Sequence, residues 1–162
     1  MSTQEISGDG ERTLDVLLVA STGGHLTQLV ALRPWWENHR RHWVTFDNEH
    51  ARTVLDGERV THAFSPTTRN IPNALRNLRL AVRVLRRARP DLVVSTGAGV
   101  AAPFFLVARL MGVRTLYIEV IDRVASRTLT GRMVYPLADG FAVQWREQRR
   151  LYPGATVIGA TL

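Results

Sequence analysis

The chain contains no cysteine and no lysine. The first absence excludes disulfides, thiolate metal sites and a cysteine nucleophile. The second excludes Schiff-base chemistry and a P-loop lysine. Aromatic residues are sparse, at 7%. Long apolar runs are missing too: the longest, Ala98–Val107, stops just short of Arg109, whereas a bilayer span needs about twenty residues. Met1–Thr13 is polar and mildly acidic through Glu5, Asp9 and Glu11. It lacks the basic-then-apolar pattern of a signal peptide and reads as a flexible tail.

What remains is 162 residues, 45% of them hydrophobic, with a net charge of +7. That is enough chain for one globular domain, expected over residues 14–162. All 21 basic residues are arginine, a usage that fits a GC-rich bacterial coding sequence. A basic chain favours an anionic partner: nucleic acid, phospholipid or a phosphate-bearing substrate. The arginines show no helix-turn-helix spacing and few accompanying aromatics, which weighs against nucleic acid.

Strand-length apolar runs alternate with helical stretches. Leu14–Ala20, His42–Phe46, Val60–Phe64, Asp91–Ser95, Thr115–Glu119 and Gly140–Val143 read as strands, with a last one at Ala155–Ile158. Helices are expected from Gly24 into the Pro34 region and over Glu49–Leu55, Asn73–Ala88, Ala101–Met111, Thr128–Leu137 and Glu147–Leu151. Continuous apolar strands between helices imply an α/β fold, a single Rossmann-like, doubly wound parallel sheet covered on both faces. Ligands of such sheets bind beyond the strands' C-terminal ends at the topological switch point. The loops after strands one, four and five are therefore the informative ones.

The first strand ends in Ser21-Thr22-Gly23-Gly24-His25. Two glycines there let the backbone approach a ligand, and the following helix N-terminus favours an anion. His25, in the first helical turn, suits either a general base or a structural helix cap. The fourth strand ends in Thr96-Gly97-Ala98-Gly99, a G-x-G-x-x-A turn with Glu119 twenty residues past Gly99. This pattern fits a dinucleotide fingerprint, a backbone phosphate cradle or plain tight packing. The fifth strand leads into Glu119, Asp122 and Arg123. A carboxylate there can hold sugar hydroxyls or take a proton, and Arg123 can hold a phosphate oxygen; an ordinary loop salt bridge is the plainer alternative.

On the long helix, Arg76, Arg79, Arg83, Arg86 and Arg87 fall within one third of the circumference at about 100° per residue. Leu75, Leu78, Ala81, Val82 and Leu85 lie on another arc and are expected in the core. Leu80 and Val84 flank the arginine stripe, an arrangement that suits an anionic membrane surface or a solvated charged face.

The run Ser21–His25, the pair Arg69-Asn70, Arg89-Pro90-Asp91 leading into Ser95–Gly99, and Tyr117-Ile118-Glu119 occur here in order. Arg123, Thr128-Leu129-Thr130-Gly131, Tyr135–Asp139 and Val143-Gln144-Trp145 follow. Together they resemble the Alg-fourteen family and its bacterial PssD-like relatives, over about Leu14–Gly159. The resemblance implies the N-terminal, acceptor-side half of a GT-B glycosyltransferase of the MurG kind. The donor-side half would be a separate Alg-thirteen or PssE-like subunit. Together they would transfer a sugar (N-acetylglucosamine, glucuronate or another hexose) from a UDP-sugar to a polyprenyl-diphosphate-linked acceptor, with inversion and without a metal. No cofactor is implied, since the UDP-sugar is a substrate bound mainly by the partner. By motif, Gly23, Gly24, Gly97, Ala98, Gly99 and Arg123 would lie at the acceptor diphosphate. His25 and Glu119 would be catalytic, with His25 the first choice as base and Glu119 or Asp122 behind it. Arg76, Arg79, Arg83 and Arg86 would face an anionic membrane. Eukaryotic members carry an N-terminal membrane anchor and no such segment is read here, so a cytoplasmic, peripheral attachment to the inner face of a bacterial plasma membrane is expected. The competing expectation is a nucleotide-binding Rossmann module with a redox or regulatory role.

Overall fold

The computed structural model describes residues Arg12–Thr161; Met1–Glu11, most of the expected tail, and Leu162 lie outside the described residues. The apolar runs form β1 (Asp15–Ala20), β2 (Arg40–Phe46), β3 (Val60–Ala63), β4 (Leu92–Gly97), β5 (Arg114–Ile118), β6 (Gly140–Val143) and β7 (Thr156–Val157). They make one seven-stranded sheet in the order β3-β2-β1-β4-β5-β6-β7. Every pairing is parallel. Helices α1 (Gly24–Ala31), α2 (Arg33–Trp36), α3 (Glu49–Val54), α4 (Ile71–Ala88), α5 (Ala101–Met111) and α6 (Leu129–Val134) connect them, with a 3-10 turn at Arg146–Arg150.

Alternation along β1 divides the core in two. Leu17 and Val19 point to the layer of α4, α5 and α6, with Leu85, Phe104 and Phe105. Val16 and Leu18 point to the layer of α1, α2 and α3, with Leu26, Leu29 and Trp43. A strand buried on both faces has no polar positions to offer, and so β1 reads as an unbroken apolar run. The strand order reverses between β1 and β4, which places the switch point where the two glycine turns emerge.

Three expectations change in detail. The helix after β1 breaks at Leu32 into α1 and α2, because Pro34 has no N–H with which to continue the ladder. The expected helix at Glu147–Leu151 is the 3-10 turn. The largest change is the facing of α4. Its buried residues are Asn73, Asn77, Leu80, Ala81, Val84 and Leu85, while Leu75 is 52% exposed. Leu80 and Val84 are therefore core, not membrane-flanking, and Leu75 is not core. Two asparagines cause the rotation. Asn77 exchanges hydrogen bonds with the Phe64 backbone, donating to its O and accepting from its N, both at 2.9 Å. Asn73 donates to Pro66 O at 2.9 Å. A purely hydrophobic reading turns asparagine outward; here its amide satisfies buried loop backbone.

One half-buried histidine makes stability depend on pH. His42 Nε2 lies 2.8 Å from Thr61 Oγ1, while Nδ1 is buried without a partner. Burial, then Arg59 and Arg87, push its pKa down from 6.5 to about 4. The folded state thus holds His42 neutral while the unfolded chain takes up the proton first. Stability is fully present above about pH 6.5 and is lost as pH falls towards 4. Thermal unfolding across this window should show a falling midpoint, and His42→Gln should remove that part of the slope.

Candidate functional site

At the C-terminal ends of β1 and β4 a groove of about 1010 Å³ opens between the first glycine turn, the loop after β3, and α4, α5 and α6. Ser21, Thr22 and His25 line it from the first turn, Ala98 and Gly99 from the second, and Thr67 and Arg69 from the loop before α4. That loop closes directly over the second turn: a Cβ on Gly99 would stand 2.9 Å from Thr67 Oγ1.

His25 is held by a reciprocal pair of hydrogen bonds. Its Nδ1 lies 2.9 Å from Thr96 O. A carbonyl oxygen only accepts, so Nδ1 carries a proton, and in the neutral imidazole the lone pair is on Nε2. Thr96 Oγ1 in turn donates to His25 O at 2.6 Å. Gly97, at φ +118°, makes room for this arrangement: a Cβ there would meet Tyr117 Oη at 2.9 Å and His25 Cε1 and Nδ1 at 3.0 Å. Ala98 also adopts a positive φ, +69°, a strained conformation for a residue with a Cβ and one that clusters at functional sites.

The helices differ in how they begin. α3, α4 and α6 are capped by the side chains of Asn48, Asn70 and Thr128. α1 and α5, which start at the switch point, have no side-chain cap. The first-turn N–H groups of α1 lack an internal acceptor and suit an anion, whereas at α5 the Ala101 N–H already donates to Ala98 O at 3.0 Å and Pro103 has no N–H.

Glu119 lies elsewhere. It is fully buried and does not line the groove. Its carboxylate accepts from Val120 N at 3.1 Å, from the Thr128 hydroxyl at 3.1 and 3.2 Å and from the Tyr152 hydroxyl. Burial and the Glu119 contact push the Tyr152 phenol well above its ordinary range, which keeps the proton on Tyr152. A side chain on the buried Gly131 would collide with Tyr152 Oη and Glu119 Oε2. Glu119 therefore fastens the start of α6 to the end of β5. The same burial withholds it from the ribose hydroxyl that the dinucleotide reading requires.

A family model described as "Oligosaccharide biosynthesis protein Alg14 like" matches residues 37–161. The chain belongs to this family. Human "UDP-N-acetylglucosamine transferase subunit ALG14" is 26% identical over 178 aligned positions, covering 91% of this chain and 82% of that protein. Among solved structures, Acinetobacter baumannii MurG superposes with a TM-score of 0.68 at 21% identity, over 81% of this chain and 41% of that one. A UDP-GlcNAc 2-epimerase from Methanocaldococcus jannaschii gives 0.72 at 16%, over 90% and 45%. This chain spans less than half the length of both solved proteins, and at these identities the likeness is one of fold.

In this Alg14-like chain, the residues named from sequence separate into two groups. His25, Ala98 and Gly99 meet in the groove. Gly23 and Gly24 form the exposed turn beside it, with Ser21 and Thr22 as the lining residues. Gly97 acts by the space it leaves, not by facing the groove. Glu119, expected to be catalytic, is buried and hydrogen-bonded away from the groove. Arg123 is exposed and does not line the groove; its backbone O accepts from Gln148 Nε2 at 3.2 Å. Asp122 is likewise exposed outside the groove. Arg69 is the groove's cation and was given no role from sequence. Its signal was its place after a strand, in the Arg69-Asn70 pair, but β3 is remote from the switch point until α4 folds back.

Glu119→Gln would put an amide N–H among donors that already fill the carboxylate. Unfolding in denaturant should show a loss of about 1–3 kcal/mol, with the start of α6 exchanging its amide hydrogens faster. A variant as stable as the parent would remove Glu119 from its fastening role.

Proposed function

We propose that this chain is the acceptor-binding subunit of a two-component inverting glycosyltransferase, active only with a donor-domain partner that binds most of the UDP-sugar. The acceptor is a polyprenyl-diphosphate-linked saccharide, and the product belongs to polysaccharide or lipid-linked oligosaccharide synthesis. The observation that carries this reading is His25: a tethered imidazole at a switch-point groove, in a chain of the Alg14-like family.

The chemistry follows from the tautomer. The acceptor hydroxyl attacks the anomeric carbon of the donor sugar and the bond to UDP breaks. His25 Nε2 takes the hydroxyl proton as the new glycosidic bond forms, and UDP leaves with the bonding pair. The imidazolium is stabilised by Nδ1–H pointing at Thr96 O. The acceptor diphosphate lies against the uncapped start of α1, with Arg69 as counter-charge.

Membrane attachment is peripheral, at the cytoplasmic face of a bacterial plasma membrane. Among the described residues no helix is long and apolar enough to cross a bilayer. Arg76, Arg79, Arg83 and Arg86 are exposed on α4. Arg76 is engaged locally, donating to Asn73 Oδ1 at 3.0 Å. Among the described residues no carboxylate pairs with Arg79, Arg83 or Arg86. Exposed Ile71 and Leu75 lie on the same helix, so basic and apolar groups face solvent together, as a membrane surface requires.

Two measurements test the reading. The purified chain should transfer no sugar alone and should do so once the donor-domain subunit is added; His25→Ala should lower kcat by ~10²–10⁴-fold while the chain still folds and the complex still forms. Turnover by the chain alone, or a His25→Ala complex with parental kcat, refutes it. Separately, replacing Arg79, Arg83 and Arg86 with Gln should weaken binding to phosphatidylserine vesicles at low salt, by at most about 1 kcal/mol per residue. High salt should erase the difference. Equal sedimentation of parent and variant would make α4 a solvated face.

A further inference from the structure

The groove has two chemistries, and transfer to a sugar hydroxyl uses only one of them. Its inner end is polar, with Ser21, Thr22, His25, Thr67 and Arg69. Its outer arm is apolar: Leu75 and Leu78 come from α4, Pro103 and Leu106 from α5, and Leu129 and Met133 from α6. Leu106, Leu129 and Met133 are 39%, 74% and 52% exposed. Large apolar side chains gathered from three helices on one solvent-open wall mark a place for an apolar ligand. The two ends form a single cavity of about 1010 Å³ with no Asp or Glu in its lining. That is at the top of the roughly 300–1,000 Å³ range of small-molecule sites and more than a diphosphate fills.

We propose that the apolar arm binds the first isoprenoid units of the acceptor lipid, drawing them out of the bilayer while the diphosphate sits at the polar end. This rests on the acceptor reading and adds to it a protein site for part of the lipid. Continuity decides the occupant. His25, Arg69 and the apolar side chains of α4, α5 and α6 line one cavity, so a chain attached to a diphosphate at the polar end meets those helices without leaving it. A contact with the membrane surface alone needs no cavity joined to the polar end. The polar end carries one cation and no carboxylate, which matches a diphosphate. Apart from Thr130, the side chains the three helices contribute to the lining are apolar, which matches branched hydrocarbon.

The test uses this chain without membranes, titrated calorimetrically with geranyl diphosphate and with inorganic pyrophosphate. Geranyl diphosphate should bind about tenfold or more tightly than pyrophosphate, the gain expected from burying two methylene equivalents. The double variant Leu106→Ser/Met133→Ser, at two solvent-exposed positions, should lose that advantage and keep its pyrophosphate affinity and melting temperature. Equal affinities for the two ligands in the parent chain would overturn the lipid site while leaving the acceptor reading intact. So would a double variant that keeps the geranyl advantage, or one that loses affinity for both ligands equally. Failure of both ligands to bind would overturn the acceptor reading together with the lipid site.

Discussion

The site depends on one reciprocal contact. Thr96 O accepts from His25 Nδ1 and Thr96 Oγ1 donates to His25 O. This pair stitches the loop after β1 to the end of β4, two segments 71 residues apart in sequence. It sets the tautomer of the neutral ring and holds in place a histidine that lines the groove. Gly97 is its steric condition, because any Cβ there would strike the imidazole and the Tyr117 hydroxyl. The groove's chemistry and its backbone geometry are therefore one constraint seen from two sides.

Glu119 supplies a second, quieter constraint. A buried carboxylate is costly unless its lone pairs are filled, and here three kinds of donor fill them: a backbone N–H, the Thr128 hydroxyl and the Tyr152 hydroxyl. Thr128 also caps α6 by accepting from Gly131 N at 2.9 Å. The apolar wall contributed by Leu129 and Met133 thus hangs on a polar cluster beneath it. A carboxylate at a strand end in a glycosyltransferase-like fold invites a catalytic reading; its hydrogen bonds assign it to architecture.

α4 joins the core to the surface. Its inner arc packs Ala81 and Leu85 on the sheet and uses Asn73 and Asn77 to hold the loop that carries Thr67 and Arg69. Its outer arc presents the arginines, and Leu75 and Leu78 between the two arcs line the groove. One helix therefore positions a cation at the polar end, forms part of the apolar arm and displays positive charge to solvent.

By itself the sequence determined the element order, the parallel sheet and the place of its switch point. Those follow from period and run length, which are local properties: β1 is buried on both faces and so reads as unbroken apolar residues. It also brought out His25 and the second glycine turn, because tight turns at strand ends require glycine. Only the tertiary structure decided which polar residues face the groove. Glu119 and Arg69 have similar sequence credentials, each polar and each following a strand. Their fates differ because Thr128 and Tyr152, 9 and 33 residues beyond Glu119, close over it, while α4 swings the loop of Arg69 back across the sheet. Whether a polar group is consumed or left available depends on partners distant in the chain, and no local pattern carries that information.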